Sequence, residues 1–282
     1  VVSTWSSWPS VYRAGGVYIT EPIPAHGLHA GRAAGTLHPL LTLDQFDPDP
    51  IIGPTWGGGM LSIYNGEIYW GTMTIGTAYT GAFTAANPSV GDSPTSRNDI
   101  ARAMFSRAAH LFKINVTNLA HPKIELLFGN EYFPTLNKEN GTWSLKRNLL
   151  NLTPKLGKAG FGYGTNNYSW ESAVHNGKLF IGTMDYSGGL ADYVENAPPH
   201  ADQQIDANYR VAKEQGFMPG GDLLVFEQPN EQPIIITRSG LDNIDNNGFR
   251  NFVTVNNILY VGTSSEANLG PHAGYSFYVL NN

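Results

Sequence analysis

The chain has 282 residues, 41% of them hydrophobic and only 14% charged, with a formal net charge of −6. The strongest basic cluster is Lys146-Arg147 with Lys155 and Lys158 nearby, so the phosphate-neutralising patch needed for nucleic-acid binding is missing. No stretch approaches the roughly 18 apolar residues of a membrane-crossing helix, and the absence of cysteine removes disulfides, zinc–thiolate sites, iron–sulfur clusters and thiol nucleophiles.

With so few charges, the polar surface must come from Asn, Ser, Thr, Gly and Tyr, a composition suited to a loop-rich β protein outside the cytoplasm. A cysteine-free chain of this type fits the bacterial cell envelope, the periplasm or the extracellular space. The start at Val1-Val2-Ser3-Thr4 carries neither an initiator Met nor a leader pattern, which reads as a mature chain or a fragment of something longer. No cofactor is expected.

From the N-terminus, residues 8–16 contain Arg13-Ala14-Gly15, similar to Arg238-Ser239-Gly240, and are expected to complete the last unit of the chain. Residues 16–55 form an irregular segment, with strands expected at Val17–Ile19 and Thr36–Leu43. The first regular unit, 56–128, has a hairpin over Ile63–Thr72, a third strand at Ala109–Ile114 and a fourth at Lys123–Phe128. Its insertion 73–108 includes a short helix over Ser96–Ala108, with Ser96 and Asp99 as a capping box. After residues 129–168 comes a second unit, 169–240. It has a hairpin over Val174–Thr183, a third strand at Gly221–Phe226 and a fourth at 233–240; a second helix over 201–215 lies in its insertion. The third unit, 249–282, has a hairpin over Val255–Thr263 and a third strand at Gly274–Val279, but no fourth strand of its own.

The hairpins turn on Asn65-Gly66, Asn176-Gly177 and Asn256-Asn257. Both central residues of a type I′ turn need positive φ, which Gly and Asn tolerate. Three copies of one unit lead to an all-β expectation: a β-propeller with four-stranded blades in a single domain over 1–282. It would have at least three regular blades, an irregular N-terminal part, two helical insertions and a last blade closed by 8–16.

The strand–turn–strand unit ending in Tyr69-Trp70-Gly71-Thr72, Phe180-Ile181-Gly182-Thr183 and Tyr260-Val261-Gly262-Thr263 resembles blades of secreted β-propellers, in the broad company of kelch-like repeats, over about residues 56–282. Kelch's paired glycines and the WD dipeptide are not reproduced. The resemblance implies a fold and no catalytic residues.

Loops leaving Thr72, Thr183 and Thr263 are expected at one face, bringing Thr74, Asp185, Tyr186, Ser264, Ser265 and Glu266 together. Asp185 and Glu266 are then candidate catalytic carboxylates of a glycosidase type; the competing role for each is to cap a loop. Trp56, Asn167, Tyr168, Tyr186, Asn247 and Arg250 are ligand-binding candidates, because aromatic faces beside amides stack on and hydrogen-bond to sugars. Trp170, in the same group, reads as packing. His26 and His29 form a weak metal candidate that lacks a third ligand, so no metal is expected. Gly160–Gly164 alternates glycines without the Lys-Ser/Thr of a phosphate loop.

The leading functional expectation is a secreted or envelope protein that binds a glycan or a protein partner without turnover. It excludes nucleic acid and membrane insertion and leaves homo-oligomerisation open. The rivals are a glycan-active hydrolase using Asp185 and Glu266, and a structural subunit of a surface layer or filament.

Overall fold

The computed structural model describes residues 1–5, 14–23, 25, 27, 37–90, 93–196, 202–265 and 274–280. Strands β1 (Val2–Thr4), β2 (Gly16–Thr20) and β3 (Leu37–Thr42) form a small antiparallel sheet. Two single turns of 3-10 helix, Leu43–Gln45 and Gly53–Thr55, lead to β4 (Gly57–Tyr64) and β5 (Glu67–Met73). Helices α1 (Gly76–Ala86) and α2 (Pro94–Phe105) follow, then β6 (Leu111–Asn115) and β7 (Lys123–Phe128). A separate hairpin, β8 (Tyr132–Asn137) and β9 (Thr142–Arg147), precedes β10 (Asn166–His175) and β11 (Lys178–Asp185). Helices α3 (Ser187–Asn196) and α4 (Gln203–Gln215) then lead to β12 (Leu223–Phe226) and β13 (Ile234–Thr237). The last elements are β14 (Asn246–Val255), β15 (Ile258–Ser265) and β16 (Phe277–Leu280).

The fold is therefore mixed α/β, not all-β, and it is not a propeller. Eleven strands belong to one antiparallel sheet. Within it, β4-β5-β6-β7, β10-β11-β12-β13 and β14-β15-β16 are ladders joined by the bridges Met73–Tyr168 and Met184–Gly248. Separate blades around an axis are replaced by a continuous sheet whose ladders pack on one another. Nor is the expected closure seen among the described residues: Gly16 pairs with Thr4 and Thr42 in the small sheet, and Gly15 N–H donates to Trp56 O. Within the described residues β16 pairs with β15 alone; residues 8–13 lie outside them.

The turns form as the residues dictate. Asn65 and Gly66, Asn176 and Gly177, and Asn256 and Asn257 all take positive φ. Just before Thr72 and Thr183, glycine is required by close approach. A Cβ on Gly71 would lie 2.0 Å from Ser169 Oγ, and one on Gly182 would lie 2.5 Å from Phe249 Cβ. The first strand of each following ladder thus presses against a glycine of the preceding one.

Four helices stand among the described residues where two were expected. Helix α2 starts at Ser93, whose Oγ accepts from Ser96 N–H, with Pro94 in the first turn, so Ser96 is not its cap. Asp202 caps α4 by accepting from the N–H groups of Gln204 and Ile205. The sequence conceals α1 because it is rich in Gly and Thr and has no side-chain cap. Glycines at its start conceal α3 in the same way.

Three apolar clusters hold the layers together. Trp70, Phe112 and Leu126 of the first ladder pack with Leu41, Phe46, Trp56, Phe133 and the helices. Its other face, with Tyr64, Tyr69 and Leu111, meets Leu179, Ile181 and Phe226 of the second ladder. Phe180 and Ala173, on the far face of the second ladder, meet Leu259, Val261 and Phe252 of the third.

Candidate functional site

Several of the anticipated ligand residues gather where β10 meets β14. The Tyr168 ring stands edge-on to Trp170 at 5.8 Å, and the Arg250 guanidinium lies 5.1 Å from the Trp170 ring centre. Trp170 lies over Gly248, where a Cβ would come within 2.6 Å of its ring. Asn247 is buried and accepts a hydrogen bond from Ser264 Oγ. Asn167 is tied to Thr74 in both directions: Thr74 N–H donates to Asn167 O, and Asn167 Nδ2 donates to Thr74 O. Tyr186, Thr74 and Asn167 line a void of about 10 Å³, room for a single water. These residues chiefly close the seam between ladders.

Trp56 departs from its expected role. It is fully buried, edge-on to Phe46 at 6.3 Å, His110 at 4.9 Å and Phe133 at 6.0 Å, which leaves no face for a sugar. The glycines that follow it, Gly57 and Gly58, belong to β4 and not to an open loop. Beside it, burial lowers the His110 pKa to about 3, so the ring is neutral, with Nδ1 2.7 Å from Ala108 O.

Asp185 lies at the entry to α3, 2% exposed, where Oδ1 accepts from Ser187 N–H at 2.8 Å and from the Ser187 hydroxyl. Burial pushes its carboxyl up to about 6 against those hydrogen bonds. A second buried carboxyl, Asp222, accepts from Asn166 Nδ2 at 2.9 Å and Arg238 Nη1 at 2.6 Å. Burial pushes Asp222 up to about 7; Arg238 and Asn166 pull the other way, and Asp185 adds to the rise. Glu266, His26 and His29 lie outside the described residues, so the Asp185–Glu266 pairing and the histidine pair have no geometry here. Among the described residues no three His, Cys, Asp or Glu side chains group as a metal site.

Sequence reasoning missed a cleft of about 410 Å³ between the 47–51 loop, α1 and the β8–β9 hairpin. Its apolar lining is Pro50, Ile51, Phe83 and Leu136; its polar lining includes Asp49, Asn87, Thr135, Asn137, Ser144 and Lys146. Phe83 is backed by a row of rings, stacked on Tyr79 at 6.2 Å and on Trp143 at 5.3 Å. The loop wall is rigid by construction: Asp47 Oδ1 accepts from Asp49 N–H, and Asp49 Oδ1 accepts from the N–H groups of Ile51 and Ile52. Asp-Pro-Asp-Pro at 47–50 is a turn signal that could have marked this wall. Nothing local could have placed it opposite β8 and β9.

Compared with protein-family models, with curated proteins and with solved structures, the chain matches none.

Proposed function

We propose that this chain is a binding protein that holds a glycan, without turnover, in the cleft between α1 and the β8–β9 hairpin. The observation that carries this reading is the lining of the cleft. Exposed amide, hydroxyl and ammonium groups of Asn137, Ser144 and Lys146 border an apolar floor of Pro50, Ile51 and Leu136, with Phe83, Asn87, Asp49 and Thr135 buried behind it. A sugar presents hydroxyls at its rim and C–H groups on its faces, which suits that division. The volume lies in the ordinary range of small-ligand sites, roughly 300–1,000 Å³. Asp185 favours a non-catalytic reading, because its carboxyl is turned inward and holds the start of α3. A location outside the cytoplasm belongs to the same proposal.

The test is a glycan-array screen followed by calorimetry on the best binder. Ser144 is exposed on β9, so Ser144→Trp should fill the cleft while leaving the fold intact. The expected result is at least about a tenfold loss of affinity, near 1.4 kcal/mol, with an unchanged circular dichroism spectrum. Unaltered affinity in Ser144→Trp, or no glycan bound by the native chain, would overturn the reading.

A further inference from the structure

The third ladder has two apolar faces, and among the described residues only one of them is covered. Cross-strand register places Val253, Tyr260 and Val279 side by side, and Phe252, Val261 and Tyr278 on the opposite face. The Phe252–Val261 face is packed against Phe180 and Ala173 of the second ladder. The other face carries Val253 (53% exposed), Val255 (47%), Ile258 (39%), Phe277 (65%) and Val279 (48%), around Tyr260. Side chains of this kind make the covered faces elsewhere in the sheet. Together these six expose on the order of 500 Å² of mostly apolar surface, as large as the largest patch on a typical monomer.

Gly71 receives Ser169 of the second ladder, and Gly182 receives Phe249 of the third. Gly262 occupies the corresponding place before Thr263, yet its nearest neighbours, Phe277 and Asn251, belong to its own ladder. Likewise Met73 and Met184 bridge to the next ladder, at Tyr168 and Gly248, whereas Ser264 bridges to none among the described residues. Among the described residues no further layer stacks on the third ladder.

We propose that the Val253–Phe277 face is a dimer interface, at which a second copy of this chain supplies the missing sheet layer by packing the same face against it. Head-to-tail stacking is blocked, because the far face of the first ladder is already covered by Leu41, Phe46, Trp56 and Phe133. An isologous contact between two copies of the open face is the arrangement left to the chain itself. Two such faces together would bury about 1,000 Å², the lower bound of a biological interface. The proposal is independent of the glycan reading, since the cleft is built from other elements.

Sedimentation equilibrium tests it. The native chain is expected to run at twice its 30.7 kDa mass at about 10 μM. Val253→Lys with Phe277→Ser, both at exposed positions, should return it to the monomer with its circular dichroism unchanged. Because the chain has no cysteine, Val253→Cys with a short bis-maleimide should give cross-linked dimers, and Ser144→Cys on the cleft hairpin should not. A native chain that stays monomeric at about 100 μM overturns the proposal. So does a dimer indifferent to the Lys/Ser pair, or equal cross-linking from both cysteines.

Discussion

Arg107 and Asp47 meet in a two-pronged ion pair that solvent does not reach, with Nε to Oδ2 at 2.6 Å and Nη2 to Oδ1 at 2.9 Å. The guanidinium lies 5.8 Å from the Tyr79 ring centre and 5.1 Å from that of Phe133. Its Nη1 donates to Ala103 O and Pro134 O. One side chain thus ties the end of α2 to β8 and to the acidic wall of the cleft.

Removing one partner of such a pair leaves the other charge buried and unpaired. Arg107→Met is expected to cost about 3–5 kcal/mol in urea unfolding. The double variant Arg107→Met with Asp47→Leu should recover much of that loss, because no unpaired charge remains. If the double variant is no more stable than Arg107→Met alone, the pair does not account for the loss.

Asp185 makes stability depend on pH in a defined direction. Its folded-state pKa, about 6, lies above the ordinary value of 3.8. The native chain therefore binds the extra proton, and the contribution is full below about pH 4 and is lost as pH rises through about 6. Asp185→Asn keeps an acceptor for Ser187 and removes the titration. Relative to the native chain, it should gain about 2–3 kcal/mol between pH 4 and pH 8. His110, lowered to about 3 by burial, contributes with the opposite sign, but equally in both proteins. Paired chemical denaturation at the two pH values measures the difference; parallel pH profiles would refute the assignment.

Two glycines should respond oppositely to alanine. At Gly71 the new Cβ would meet Ser169 Oγ at 2.0 Å and Ser169 Cβ at 2.7 Å, so Gly71→Ala should destabilise by about 1–3 kcal/mol by prying the first two ladders apart. Gly81 lies in α1 with nothing within 4 Å of its Cβ position. Gly81→Ala should stabilise by about 0.8–1 kcal/mol through helix propensity. Thermal unfolding of the two variants resolves a contrast of this size.

The hairpin turns allow a similar contrast. Gly177 sits at φ 73°, so Gly177→Ala is expected to cost about 1–2 kcal/mol. Asn257, at φ 60°, holds the corresponding position in the third hairpin, and Asn257→Gly should be neutral or stabilising by a few tenths of a kcal/mol. A larger loss from Asn257→Gly than from Gly177→Ala would contradict the turn assignment.

Much of the strand order was legible. Expected strands at 123–128 and 63–72 fall on β7 and on the β4–β5 hairpin, and those at 17–19 and 36–43 fall on β2 and β3. The candidate site was far less legible. Tyr168 and Arg250 do come together around Trp170, but Trp56 is in the core and the cleft went unseen. Aromatic and Asn-rich segments look alike whether they face a ligand or another ladder. Only the residue across the interface distinguishes the two, as Gly248 does for Trp170.

By itself the sequence determined the turns and the pairing of adjacent strands, because positive φ at Asn-Gly and the two-residue strand period are decided within a few residues. Only the tertiary structure decided how the ladders join, that the N-terminal strands form their own sheet, and that a Gly- and Thr-rich segment becomes α1 and one that starts Ser-Gly-Gly becomes α3. Those outcomes rest on contacts such as Gly71 with Ser169, Met184 with Gly248 and Arg107 with Asp47, each between residues some 60 to 100 positions apart. Local pattern constrains the shape of each hairpin. It carries no term for which hairpin another will meet.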